Sequence, residues 1–152
     1  MDCNKITADL VFVASSIHSI DVKTNRICIQ DETSRQFGID LKYSQPLLQE
    51  DGKYAKLLLQ VDVLVGKEDE GVKQDSFRVI IEGLFKVSPE YDDAAFLELL
   101  NINGGAALYS IARSKIEVLS GITYVEGKIV LPMINMMQYF AEQAKAQQDQ
   151  AS

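Results

Sequence analysis

The chain has no tryptophan, one histidine, two cysteines and three prolines, and these scarcities narrow what it can be. His18 would have to serve any triad or histidine-rich metal centre. It lies in a β-rich stretch with neither a Ser-x-Gly elbow nor a metal-ligand spacing beside it, so it reads as a structural or surface residue. Cys3 and Cys28 are widely separated, form no Cys-x-x-Cys and have no activating neighbours. Two reduced thiols in the cytoplasm are therefore expected rather than a disulfide. Basic residues are outnumbered, 15 against 22 acidic, and the net charge of −7 gives no run able to neutralise phosphates. Nucleic acid is thus not an expected partner. No apolar run approaches the ~20 residues that span a bilayer, so direct membrane insertion is not expected. The start Met1-Asp2-Cys3-Asn4-Lys5 lacks the basic-then-apolar order of a signal peptide.

What is present is the composition of a folded domain: 152 residues, 47% hydrophobic and 24% charged. One domain is expected over residues 1–146, followed by a polar, disordered tail at 147–152. Three other segments invite a chemical reading. Asn103-Gly104-Gly105 precedes a predicted helix, but no Lys-Ser/Thr follows it and no parallel strand leads in, so close backbone packing explains it better than phosphate binding. Glu68-Asp69-Glu70 and Asp92-Asp93 lack the spaced acids of a calcium loop and read as solvated charge. No catalytic constellation, metal site or cofactor is expected.

Periodicity supplies the fold. Tyr54–Val65 alternates, with Ala55, Leu57, Leu59, Val61, Val63 and Val65 on one face. Phe77–Val87 and Phe37–Tyr43 behave alike, and Leu10–Val22 is a longer strand with a bend or bulge near Ser15-Ser16. Ile27-Cys28-Ile29 is short enough to add only a minor strand. Asp51-Gly52 and the stretch 66–74 are connectors too short for parallel crossovers, which predicts an antiparallel meander. The period then changes. Ala94–Leu100 predicts a helical turn and Gly105–Leu119 a helix ended by Gly121. A further helix follows Pro132 and runs to about Ala146. Strands followed by helices make an α+β domain.

The apolar content exceeds what one sheet and two helices bury. Leu58, Leu64, Ile80 and Leu84 fall on the polar faces of strands. Ile122, Tyr124, Ile129 and Val130 fall between the helices, and the last helix opens with Met133, Ile134, Met136, Met137, Tyr139 and Phe140. Either the protein oligomerises, or it leaves an apolar groove open, or both. Methionine-rich surfaces suit partners of varied shape.

Three motifs in order give this surplus a context: Gly83-Leu84-Phe85 closing a strand, Leu108-Tyr109-Ser110-Ile111-Ala112-Arg113 on a helix, and Leu131-Pro132-Met133-Ile134-Asn135-Met136 leading the last helix. The chain resembles the SecB family of export chaperones over roughly Phe37 to Gln148. The resemblance implies a four-stranded antiparallel sheet followed by two helices, assembled as a homo-tetrameric dimer of dimers. The first long helix would lie at the interface, through Leu108, Ile111, Ala112 and Lys115. The implied activity is ATP-independent holding of unfolded or extended polypeptides, kept export-competent and passed to the export motor ATPase. Client-binding positions would be Tyr43, Leu58, Ile122, Tyr124, Val130, Met133 and Met137. A dedicated adaptor that protects one partner, such as an antitoxin, has the same implied fold. The chain departs from the family in three places. Asn103–Tyr109 replaces a Cys-Pro-x-x-Leu-Phe-Pro run, Gly121-Ile122-Thr123-Tyr124 replaces Gly-x-Phe-Pro, and Arg78 stands where a motor-docking glutamate is expected, with Asp21 as a remaining acid.

Overall fold

Alternating sequence makes strands here because one face of each can be sealed and the other left wet. The computed structural model describes residues 9–68 and 71–150. Its strands are β1 (Val11–Lys23), β2 (Arg35–Tyr43), β3 (Leu47–Gln49), β4 (Gly52–Val65) and β5 (Asp75–Val87). Its helices are α1 (Asp93–Leu99), α2 (Gly105–Thr123) and α3 (Met136–Gln150), with a π-helical stretch, Leu100–Gly104, joining α1 to α2. The α+β class holds, with five strands rather than four, because β3 pairs separately with the start of β4. Ile27-Cys28-Ile29 adds only a single parallel bridge, between Cys28 and Glu126.

All pairings are antiparallel, but the sheet order is β1-β5-β4-β2. The expected meander therefore covers β2 to β5 only. β1 lies beside β5 rather than β2, which is Greek-key connectivity. The bend expected near Ser15-Ser16 is present as two register shifts, between Phe12 and Ala14 and between Ile17 and Ser19.

One face of β4 and β5 is sealed. Leu57, Leu59, Val61, Phe77, Val79 and Ile81 pack against Leu108, Ala112 and Ile116 of α2, while Phe96 and Leu100 close one end. Gly83 lies where a Cβ would stand 2.8 Å from Leu108 Cδ2, so this glycine lets α2 settle onto β5. α2 covers β4 and β5 and leaves β1 open. Every β1 residue but Val22 is exposed, including Phe12, Ile17 and Ile20 on the helix side of the sheet.

The helical path is more continuous than its sequence suggests. The carboxylate of Asp92 accepts from Ala95 N at 2.9 Å and caps α1. From there the backbone stays helical to Thr123. Asn103-Gly104-Gly105 thus lies inside this path and presents no helix amino end. Close packing is its role, since a Cβ on Gly104 would stand 3.2 Å from Phe85 and one on Gly105 2.6 Å from Met136. Gly121 does not stop α2, which runs on to Thr123. α3 begins at Met136, three residues later than Met133, with Asn135 Oδ1 accepting from Gln138 N at 3.2 Å. It continues to Gln150, so the residues 147–150 expected to be disordered extend the helix. Cys28 is a free, exposed thiol, whereas Cys3 lies outside the described residues. Among the described residues no helix is long and apolar enough to cross a membrane.

Candidate functional site

An open apolar cleft lies where α3 meets β2. Alternation turns Phe37, Ile39, Leu41 and Tyr43 toward the helix side of the sheet, since they pair with buried residues of β4. α3 meets this row with Tyr139 and Phe140, whose rings pack edge to face at 5.2 Å. Two cavities flank Tyr139. One, of about 410 Å³, is lined by Phe37, Ile39, Ile134, Gln138, Tyr139 and Glu142. The other, of about 330 Å³, is lined by Leu41, Tyr43, Asn101, Phe140 and Ala144. Burial, with the nearby Asp40 adding to it, holds the Tyr139 hydroxyl above its ordinary pKa, so it stays a neutral donor.

The rim of this seam is fixed from α2. Tyr109 Oη donates to Pro132 O at 2.7 Å, Arg113 Nε donates to Leu131 O at 2.5 Å, and Arg113 Nη1 lies 3.2 Å from Met133 Sδ. The Tyr-Ser-Ile-Ala-Arg and Leu-Pro-Met segments, 18 to 23 residues apart, are thereby one structural unit. Burial pushes the Tyr109 phenol up as well, keeping it protonated as a donor to the carbonyl.

The segment between α2 and α3 is a brace rather than a free loop. Tyr124 Oη donates to Asp75 Oδ2 at 2.7 Å. Asp75 is fully buried and its Oδ1 accepts from Asn25 N at 2.6 Å, with Arg26 Nη1 at 3.5 Å. Val125 N donates to Ile27 O at 2.8 Å, and Ile29 N donates to Glu126 O at 3.0 Å. Gly127, at φ +88°, allows this approach because any Cβ there would strike the Ile29 carbonyl. Burial first, then the bond to Asp75, raise the Tyr124 pKa far above the usual phenol range.

The positions expected to contact a client therefore divide. Met133 and Met137 are widely exposed, 76% and 66%, and Val130 is about half exposed. Tyr43 is exposed and lines the second cavity. Ile122 is exposed but belongs to the outer side of α2 rather than to a loop. Leu58 alternates out of phase with the buried residues of β4, so it faces away from α3, on the opposite side of the sheet from Tyr43. Tyr124 is 3% exposed and engaged with Asp75, so its ring is not available to a client. Of the four expected interface residues, Leu108 and Ala112 are fully buried in the chain's own core, Ile111 is half-buried and Lys115 is exposed. The outer stripe of α2 instead carries Ile111, Val118 and Ile122 beside small residues such as Ala107 and Ser114. The β2 wall, Phe37 and Ile39, and the α3 pair Tyr139 and Phe140 were not among the expected site residues. Their shared alternation and helical spacing are the signals that point to them.

The opposite face of the sheet is self-neutralising. Arg78 Nε lies 2.5 Å from Asp62 Oδ1, with Asp21 paired across the ladder to Arg78. Glu82 lies 3.2 Å from Lys56 and 3.4 Å from His18, and Lys86 Nζ lies 2.8 Å from Asp51. His18 is thus a surface partner of Glu82, and among the described residues no cluster of three or more metal-ligating side chains occurs.

No protein-family model matches the chain, and no curated protein matches it in sequence. Among solved structures, a SecB-like chaperone from Mycobacterium tuberculosis, determined in complex with a ChAD peptide from the HigA1 antitoxin, superposes with a TM-score of 0.57. The match covers 82% of this chain and 90% of that one at 13% identity. The fold is SecB-like. At that identity the likeness concerns the path of the backbone, while binding chemistry rests with the side chains that this sequence places on it.

Proposed function

We propose that this chain is an ATP-independent holding chaperone that binds unfolded or extended polypeptides along the α3–β2 seam. The observation that carries the reading is the pair of cavities flanking Tyr139, lined from β2 and α3; Met133 and Met137, exposed just before and within the first turn of α3, add apolar surface outside them. Each client side chain buried there contributes about 1.5–3 kcal/mol. Fixing an extended client opposes this by about 1–2 kcal/mol per residue. A single segment then binds weakly, and several seams in one assembly, acting on one chain, raise avidity by ~10²–10⁴. That selects clients able to present several extended apolar segments, as folded proteins cannot. A homo-tetramer built through the outer stripe of α2 and the open face of β1 suits this scheme, in the cytoplasm and without a cofactor.

A second reading, a dedicated adaptor for one partner, is favoured by the paired charges on the opposite sheet face. Arg78 there is taken up by Asp62, which leaves little acidic field to attract an export motor ATPase. The antitoxin peptide bound by the mycobacterial structure fits the same alternative. The test is aggregation of an unrelated unfolded protein, without nucleotide, alongside mass by light scattering. The holding reading expects suppression that falls severalfold in Met133→Ser/Met137→Ser at unchanged mass. Indifference to generic clients, with tight binding to one partner, would favour the adaptor.

A further inference from the structure

The seam is bounded by a sheet edge with chemistry of its own. Ser44 N donates to Lys56 O at 3.0 Å, and Gly66 N donates to Ser34 O at 2.9 Å. These pairs flank a β2–β4 register that runs without a shift from Arg35↔Val65 to Tyr43↔Leu57. In an antiparallel ladder bonded and non-bonded pairs alternate. The even-numbered residues of β2 therefore bond to β4, and Arg35, Phe37, Ile39, Leu41 and Tyr43 turn their N–H and C=O groups outward. Among the described residues no backbone hydrogen bond outside the ladders involves these five. One side chain approaches: Tyr139 Oη lies 3.4 Å from Ile39 O, longer than an ordinary hydrogen bond.

The two edges of the sheet are not equivalent. β1 carries two register shifts, and bulges of this kind disrupt strand addition. β2 has neither a bulge nor a proline, and four of its five outward-bonding residues, Phe37, Ile39, Leu41 and Tyr43, line the cavities beside α3.

We propose that the free edge of β2 is a strand-addition site. An extended polypeptide with apolar side chains at alternate positions pairs its backbone with Arg35–Tyr43 and lodges those side chains between β2 and α3. This rests on the polypeptide-holding reading and specifies how the client is held. Donors and acceptors recurring at every second residue, roughly 7 Å apart, match an extended backbone. Backbone bonds carry no side-chain code, so tolerance of many sequences comes from the edge and preference for alternating apolar residues from the cavities. The long Tyr139 bond is one that a strand N–H replaces.

The test uses the full chain and a labelled, unstructured ten-residue peptide of alternating leucine and serine, followed by fluorescence anisotropy. Methylating the backbone nitrogens of one alternate set should weaken binding at least tenfold, and methylating the other set should leave it within twofold. Sensitivity at the leucines indicates antiparallel addition and at the serines parallel addition, and either supports the proposal. Phe37→Pro, which removes an outward N–H without breaking a β4 bond, should bind at least tenfold more weakly than Phe37→Ala. Equal loss from both methylated sets, or no loss from either, overturns strand addition while leaving a side-chain-only chaperone standing. A wild-type chain that binds neither this peptide nor any unfolded protein overturns the holding function itself. Should the edge pair instead with a second copy of β2, mass would double with concentration and the peptide would not compete, which also overturns the proposal.

Discussion

Asp75 has no exposed surface, and a buried carboxylate is tolerable only when its oxygens are met. Tyr124 meets one oxygen, while the Asn25 amide and Arg26 meet the other. Tyr124→Phe removes the first partner and keeps the ring against Phe77, whose centroid lies 5.9 Å away. A loss of about 1–3 kcal/mol in urea unfolding is expected, the range for a stranded buried acceptor. The same bond predicts a pH dependence. The folded phenol pKa is raised above its unfolded value, so its stabilisation is complete below about pH 10 and is lost as pH climbs above it. Wild type should lose stability above pH 10 more steeply than Tyr124→Phe. Nothing in the sequence marks this site, because Asn25, Asp75 and Tyr124 lie some fifty residues apart and each alone is an ordinary loop or strand-end residue. Leu108 was misplaced for a related reason. Helical spacing identifies an apolar face but not whether the chain's own sheet or a neighbour covers it. Leu108→Ala should therefore cost about 2–5 kcal/mol, read as unfolding rather than as dissociation.

At the scale of elements, β4 and β5 were legible almost residue by residue, since strict alternation over a sealed face leaves one solution. The neighbour of β1 was not legible: β1 alternates loosely, and its partner is set by a long return of the chain rather than by a turn. The helical path from Asp93 to Thr123 was obscured by Asn103-Gly104-Gly105, which local rules read as a break, whereas tight packing on Phe85 and Met136 asks for glycine there. The seam was partly legible: Tyr43, which lines its second cavity, was expected at a binding surface, whereas the facing Phe37, Ile39 and Tyr139 were not, and Met133 and Met137 line neither cavity. α3 is held by its first turn, Met136, Tyr139 and Phe140, and every residue described from Ala141 to Gln148 is exposed. Truncation after Glu142 should leave the melting temperature within a few degrees. It should weaken polypeptide binding severalfold, because Gln143, Ala144 and Gln147 wall the second cavity.

At the scale of the molecule, the apolar surplus read from composition is real, and two regions carry much of it. One is the α3–β2 seam. The other is the open side of β1 with the outer stripe of α2, where Phe12, Ile17, Ile20, Val118 and Ile122 are all more than 40% exposed. If copies of the chain seal the second region, Val118→Asp with Ile122→Asp should lower the mass seen by light scattering while far-ultraviolet circular dichroism stays unchanged. Unchanged mass would place the interface elsewhere. The brace at Asp75 has a consequence for how the chain comes to be folded at all. Its carboxylate gathers a backbone amide from fifty residues upstream and a hydroxyl from forty-nine downstream. During vectorial synthesis the sheet strands emerge first, with that carboxylate lacking its hydroxyl donor until Tyr124 leaves the ribosome. Nascent chains stalled before that point should stay open to protease, and those stalled well beyond it should become resistant in a single step.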